Sequence, residues 1–163
     1  MIYFDNAATS VMKPVKVHRA VLEAMKNCGN PGRSGHKLSI NAANAIINCR
    51  EKLGKLFNVD DVETITFTQN ATHALNIAIN SIVSPGDRVL VTGFEHNSVM
   101  RVLDHLGANI QFYGTDLFDK EATIRSLKEK LTPDTKCVVC TAASNVTGRI
   151  MPIDEIAHIC RTS

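Results

Sequence analysis

The sequence predicts an α/β protein: a helical N-terminal segment followed by a mostly parallel sheet with helices on both faces. Three observations carry the prediction. From Thr64 onward, short β-branched runs alternate with stretches of helical apolar period. Those runs are mostly apolar, with Val89-Leu-Val91 and Cys137-Val-Val-Cys140 unbroken, as strands covered on both faces require. Between two of the elements, Pro85-Gly-Asp87 supplies a tight turn, because proline fixes φ and glycine permits positive φ.

Each element follows from local pattern. The chain opens on a polar, extended stretch, Tyr3-Phe-Asp-Asn-Ala-Ala-Thr-Ser10. A helix follows Pro14, with Val17, Ala20, Val21, Ala24, Met25 and Cys28 at helical spacing, and Gly29-Asn-Pro-Gly32 ends it. A second helix is expected over residues 39–57, its stripe formed by Ile46, Cys49, Leu53, Leu56 and Phe57. Strands are predicted at residues 64–68, 88–92, 110–113 and 136–142, and helices at 71–83, 97–106, 119–131 and 153–160. On this reading residues 1–60 form an N-terminal arm with its helices, and residues 61–163 the first part of an incomplete sheet domain.

Composition narrows the function classes. The 163 residues are 44% hydrophobic and 21% charged, which is the make-up of a globular protein. A net charge of +2 with scattered Lys and Arg offers no basic stripe for nucleic acid. No apolar run approaches the roughly 18 residues of a membrane span, and the first ten residues lack a signal-peptide layout, so a cytoplasmic location is expected. The five cysteines are odd in number and widely spaced, which argues against a disulfide framework. Cys137 and Cys140 form a Cys-x-x-Cys pair inside an apolar run. On a strand, residues three apart face opposite ways, so the two thiols do not converge on a metal, and no metal site is expected.

Parallel sheets bind ligands beyond the carboxyl ends of their strands. The first such junction is Phe67-Thr-Gln-Asn-Ala-Thr-His73, where a helix start exposes free amides and Thr72 adds a hydroxyl; the arrangement suits a phosphate, or else an ordinary cap by Asn70. The second is Thr92-Gly-Phe-Glu-His-Asn-Ser98, with His96 available for ring stacking or acid–base work, or simply solvated. The last is Ala142-Ala-Ser-Asn-Val-Thr-Gly148, where Asn145 can donate to a ligand oxygen or make a local turn. All three fall on one edge of the predicted sheet, which is the case for one shared small-molecule site.

Five segments in order then resemble the class V aminotransferase family, in particular its cysteine desulfurase branch. They are Tyr3-Phe-Asp-Asn-Ala-Ala-Thr-Ser10, Asn30-Pro-Gly-Arg-Ser-Gly-His36, Phe67-Thr-Gln-Asn-Ala-Thr-His-Ala-Leu-Asn76, Glu95-His-Asn-Ser98 and Ser144-Asn-Val-Thr-Gly148. The resemblance implies the fold-type I architecture of enzymes that use pyridoxal 5'-phosphate (PLP), usually as homodimers, with residues 61–163 in the large PLP-binding domain. By position, it implies that Ala71 and Thr72 grip the cofactor phosphate, that His96 stacks on the pyridine ring, and that Asn145 lies near the ring oxygen and the substrate carboxylate. Asn6 and His36 would line the approach, in this subunit's site or its partner's. The branch closest to iron–sulfur assembly often carries Thr-Glu where this chain has Thr72-His73.

The implied activity is removal of sulfur from L-cysteine, leaving alanine, with a sulfur-acceptor protein as a further partner. The Schiff-base lysine and the nucleophilic cysteine of the family are expected beyond Ser163, so the chain alone is expected to be inactive. Ser34-Gly-His-Lys37 imitates the family's lysine motif but precedes the phosphate-binding junction, so Lys37 is read as an exposed lysine near a helix start. Three other readings stay open: a related class V aminotransferase or a selenocysteine/cysteine lyase, a catalytically inactive remnant acting as an interaction domain, and a general phosphate-ligand-binding domain.

Overall fold

The computed structural model describes residues 2–6, 8–116 and 119–163; Ala7, inside the opening polar motif, lies outside them. The chain divides into two compact units, residues 1–67 and residues 68–163. Each is built by its own logic.

The first unit is helical. Helix α1 spans Val15–Asn27 and follows Pro14, whose extended ψ of 144° sets the chain direction without a side-chain cap. It buries none of its residues, so the apolar stripe expected at Val17, Val21 and Met25 is present but uncovered. Helix α2 spans Lys37–Phe57, starting slightly before the expected residue 39 because His36 caps it, accepting from the Ser39 amide at 3.3 Å. Asn58 ends it in the left-handed conformation, φ 52°, which short amide side chains tolerate. The loop between the helices is tied to α2 by Ser39 Oγ donating to the Asn30 carbonyl and by the Gly29 amide donating to Leu38.

The strand expected at residues 64–68 does not form. Val62–Thr64 is a single 3-10 turn, with the Asp61 side chain accepting from the Glu63 amide. Ile65 is extended, but residues 65–68 pair with no neighbour among the described residues. β-Branched composition favours extended backbone; a strand also needs a ladder partner.

The second unit is the predicted layered fold. Helix α3 (Ala71–Ile82) leads to β1 (Arg88–Thr92), α4 (Asn97–His105), β2 (Asn109–Tyr113), α5 (Lys120–Lys130), β3 (Thr135–Val139) and α6 (Ile153–Thr162). Among the described residues the sheet has three strands in the order β2-β1-β3, parallel throughout, with Val91 opposite both Phe112 and Val139. Side chains of β1 alternate between two cores. Val89 and Val91 pack with Ile79, Val83, Val99, Val102 and Leu103 of the α3–α4 side. Leu90 packs with Tyr113, Leu127 and Ile156 of the α5–α6 side. The β1-to-β2 and β2-to-β3 crossovers run in opposite directions across the sheet, so right-handed connections place α4 and α5 on opposite faces. Each fully buried Val or Leu of β1 contributes roughly 1.5–3 kcal/mol.

Cys137 packs against the first core and Cys140 against the second, as period-two geometry demands. Among the described residues no group of three or more His, Cys, Asp or Glu side chains is placed to hold a metal ion. No helix there is long and apolar enough to cross a membrane.

Candidate functional site

The strand order makes β1 and β3 neighbours whose outgoing connections lead to opposite faces of the sheet, since α4 covers one and α6 the other. Such a reversal opens a crevice at the carboxyl ends of the strands. The loop after β1 carries Glu95 and His96; the segment after β3 carries Thr141 to Gly148.

Helix α3 begins with its donors exposed. The Asn70 side chain accepts from the His73 amide at 2.9 Å, and the Asn70 carbonyl accepts from Ala74. The amides of Ala71 and Thr72, and the Thr72 hydroxyl, have no partner among the described residues. The N-cap by Asn70 and a set of anion-ready amides therefore coexist, because the cap satisfies only one of the orphan donors.

His96 plays the capping part for α4. Its Nδ1 lies 3.1 Å from the Ser98 amide and 2.8 Å from the Ser98 hydroxyl. The amide can only donate, so Nδ1 is the acceptor and the neutral imidazole carries its proton on Nε2. His96 as a whole is exposed.

Thr72 and His96 line one end of the same cavity, of about 540 Å³, which runs along the groove between α3 and α4. This volume falls in the range of roughly 300–1,000 Å³ usual for small-molecule sites. Asn76, Asn80, Arg101 and His105 continue its lining. Sequence reasoning missed these four, although polar residues at four-residue intervals, Thr72-Asn76-Asn80 on α3 and Asn97-Arg101-His105 on α4, mark two facing polar stripes.

Asn145 is exposed in the segment after β3 and is not among the residues lining that cavity. The turn around it belongs to its neighbour: Ser144 Oγ accepts from the Val146 and Thr147 amides at 3.3 Å each, while Gly148 turns at φ 72°. The Asn145 amide group is left without a protein partner among the described residues. Asn6 and His36 are exposed in the first unit, Asn6 donating to the Tyr3 carbonyl at 3.3 Å. Lys37 is the exposed first residue of α2.

Behind the crevice the second core is chemically distinctive. The Tyr113 hydroxyl is fully buried beside the Cys140 thiol and has no hydrogen bond of ordinary geometry among the described residues. Burial, and then the neighbouring thiol, push its ionisation far above the ordinary phenol range, so it stays neutral.

The chain's relatives point to one family. The family model described as Aminotransferase class-V matches residues 2–163. A probable cysteine desulfurase of Synechocystis sp. is 33% identical over 98% of this chain and 40% of its own length. A NifS/IcsS protein homolog of Lactobacillus delbrueckii is 34% identical over 98% of this chain and 42% of its own. Among solved structures, the apo cysteine desulfurase of Thermococcus onnurineus superposes with a TM-score of 0.84 at 29% identity, covering 99% of this chain and 41% of that one. The chain thus spans about two fifths of the length of the relatives it matches.

Proposed function

Because the chain belongs to the class V aminotransferase family, we propose that it forms the phosphate- and ring-binding portion of a PLP-dependent enzyme that takes sulfur from L-cysteine. One observation carries the reading: Thr72, at a helix start with free amides, and His96, the cap of α4, line one end of a single groove between the two helices. The donor set fits the cofactor. Ala71 and Thr72 amides, with the Thr72 hydroxyl, present donors to a phosphate, and the α3 dipole favours its charge. His96 is exposed, with its tautomer fixed by Ser98. When bound, PLP supplies an electron sink for charge developing at the substrate α-carbon.

Each residue has a part in this reading. Ala71 and Thr72 anchor, and His96 orients the ring while its Nε2 can hand a proton to or from a group above it. Asn145, unpartnered and exposed, serves the ring oxygen and the substrate carboxylate. Asn6 and His36 line the approach in a homodimer, and a sulfur-acceptor protein receives the product sulfur. Lys37 has no role. The relatives named cysteine desulfurases support the choice of cysteine over other amino acids.

The test is a titration with PLP, with pyridoxal as the control lacking phosphate, followed through the amide signals of Ala71 and Thr72. PLP should bind and pyridoxal should bind far more weakly. Thr72→Val should weaken PLP by roughly tenfold or more, the loss of one hydrogen bond to a charged group at about 1.5–3 kcal/mol. Equal binding of PLP and pyridoxal, or of wild type and Thr72→Val, would defeat the phosphate assignment. Inorganic phosphate binding with no added gain from PLP would favour a general phosphate-binding domain.

A further inference from the structure

The loop bearing His96 is laced to the segment bearing Asn145 by one carboxylate oxygen. Oε1 of Glu95 accepts from the Thr92 hydroxyl at 2.6 Å and from the Thr141 backbone amide at 2.7 Å. Thr92 is the last residue of β1 and fully buried; Thr141 lies two residues past β3. The contact spans 46 positions in sequence and crosses the mouth of the crevice. Further contacts brace the loops at this edge of the sheet. Arg149, from the β3–α6 connection, sits over the Phe94 ring at 5.9 Å, and its Nη1 donates to the Asp116 carbonyl at 2.7 Å. Gly93 passes so close to the segment after β2 that an added Cβ would lie 3.2 Å from Thr115 Cα.

We propose that Glu95 is a positioning residue: its carboxylate locks the β1–α4 loop to the β3–α6 segment and thereby sets where His96 stands relative to Asn145. The chemistry suits the task. A carboxylate accepts from several donors at once, and both bonds here are charge-assisted and partly shielded from water. The Thr92 hydroxyl also accepts from the Phe94 amide at 3.3 Å, so the loop closes on itself around one buried threonine. His96 follows Glu95 directly and is held on its other side by Ser98. The imidazole is therefore fixed from both flanks, one anchored in the sheet and one in α4. The assignment of a purpose to this clamp rests on the PLP reading above; the clamp itself does not.

The experiment compares Glu95→Ala, Glu95→Asp and Glu95→Gln in the full chain by two measurements: exchange of the Thr141 amide, and the imidazole signals of His96 in selectively labelled protein. Glutamine keeps an oxygen acceptor at the same reach and should retain both signatures. Alanine removes the acceptor, and aspartate, one methylene shorter, cannot span both donors. Each should accelerate Thr141 exchange roughly tenfold or more and displace or broaden the His96 signals. If Glu95→Ala does not fold, Glu95→Asp against Glu95→Gln carries the comparison. Unchanged Thr141 exchange in the alanine or aspartate variant overturns the clamp. Faster Thr141 exchange with unmoved His96 signals overturns its positioning role. A wild-type chain whose Thr72 amide ignores PLP, while Glu95→Ala still moves His96, overturns the cofactor reading and the purpose given to the clamp, and is thereby distinguished from failure of the clamp.

Discussion

Residues 1–67 and residues 68–163 both contain amphipathic helices, yet they bury their apolar faces very differently. In the second unit Val89, Leu90, Val91, Leu103 and Leu127 are wholly withdrawn from water between a sheet and four helices. In the first, α1 buries nothing, Met25 is 78% exposed and Leu56 71%. The helices of both units carry apolar residues at helical period, so periodicity alone does not make a core. A helix stripe becomes a core when a second surface meets it, and in the second unit the central strand β1 supplies that surface on both sides. The candidate site residues Thr72 and His96 stand on the well-supported unit, at the ends of elements whose other faces are locked in the core.

The widest gap between the two units should appear on truncating one leucine in each. Leu90 is fully buried on β1, and Leu90→Ala should cost about 2–5 kcal/mol, the transfer loss plus an unfilled cavity. Leu56→Ala removes a side chain already mostly in water and should change stability by no more than about 0.5 kcal/mol. Denaturant unfolding of the two variants reads the difference directly. Similar costs would mean that Leu56 is covered in solution, and the contrast between the units would then collapse.

A pair of glycines sharpens the contrast at the level of backbone. Gly114 turns at φ +59°, and a Cβ there would lie 2.6 Å from Thr123 Cγ2. Thr123 is buried and its hydroxyl donates to the Asp119 carbonyl at 3.0 Å, so it cannot easily give way. Gly114→Ala should cost about 1–3 kcal/mol from strain and overpacking together. Gly54, inside α2, has ordinary helical backbone and would meet the Val62 side chain at 2.8 Å. Alanine there recovers roughly 1 kcal/mol of helix propensity, which offsets part of the clash. Thermal unfolding should therefore rank Gly114→Ala as the more damaging. The reverse order would show that the turn after β2 is adaptable and the α2 contact is not.

The same contrast explains what could be read from the sequence. Strand β1 was legible because its apolar run is bounded by a Pro-Gly turn and a Gly, and helices α3 to α6 because each carries one apolar stripe. The strand expected at residues 64–68 failed because pairing is not encoded in the run that would pair. At the candidate site, Thr72 and His96 are legible because they follow directly on element boundaries. Glu95 was passed over: its role depends on Thr141, distant in sequence, and on a strand order that no local pattern states. For Asn145 the sequence leaves two readings, a donor to a ligand oxygen or a local turn; Ser144 makes the turn and leaves the Asn145 amide free.

The smallest effect concerns pH and tests whether the buried side of the contrast extends to its thiols. Burial raises the ionisation of Cys140 above the ordinary thiol range; Glu95 and Cys160 push the same way, while the neighbouring Tyr113 hydroxyl pulls down. Cys137, on the opposite face of the sheet, is raised by burial first and then by Asp87. A group whose folded value is raised contributes stability that is fully present below its unfolded value, about 8.5 for cysteine, and is lost as pH rises through the folded value. The second unit should therefore weaken progressively above about pH 8.5. Cys140→Ala removes the ionising group and should show a shallower decline on this alkaline limb, even though the substitution lowers stability by a constant amount at neutral pH. Urea midpoints for wild type and variant, compared at neutral pH and at successive alkaline steps, give the result as a difference between slopes, in which contributions from lysines and other common groups cancel. Parallel slopes would mean that the Cys140 thiol reaches water as readily in the folded chain as in the unfolded one, and that the core beside Tyr113 is looser than its packing indicates.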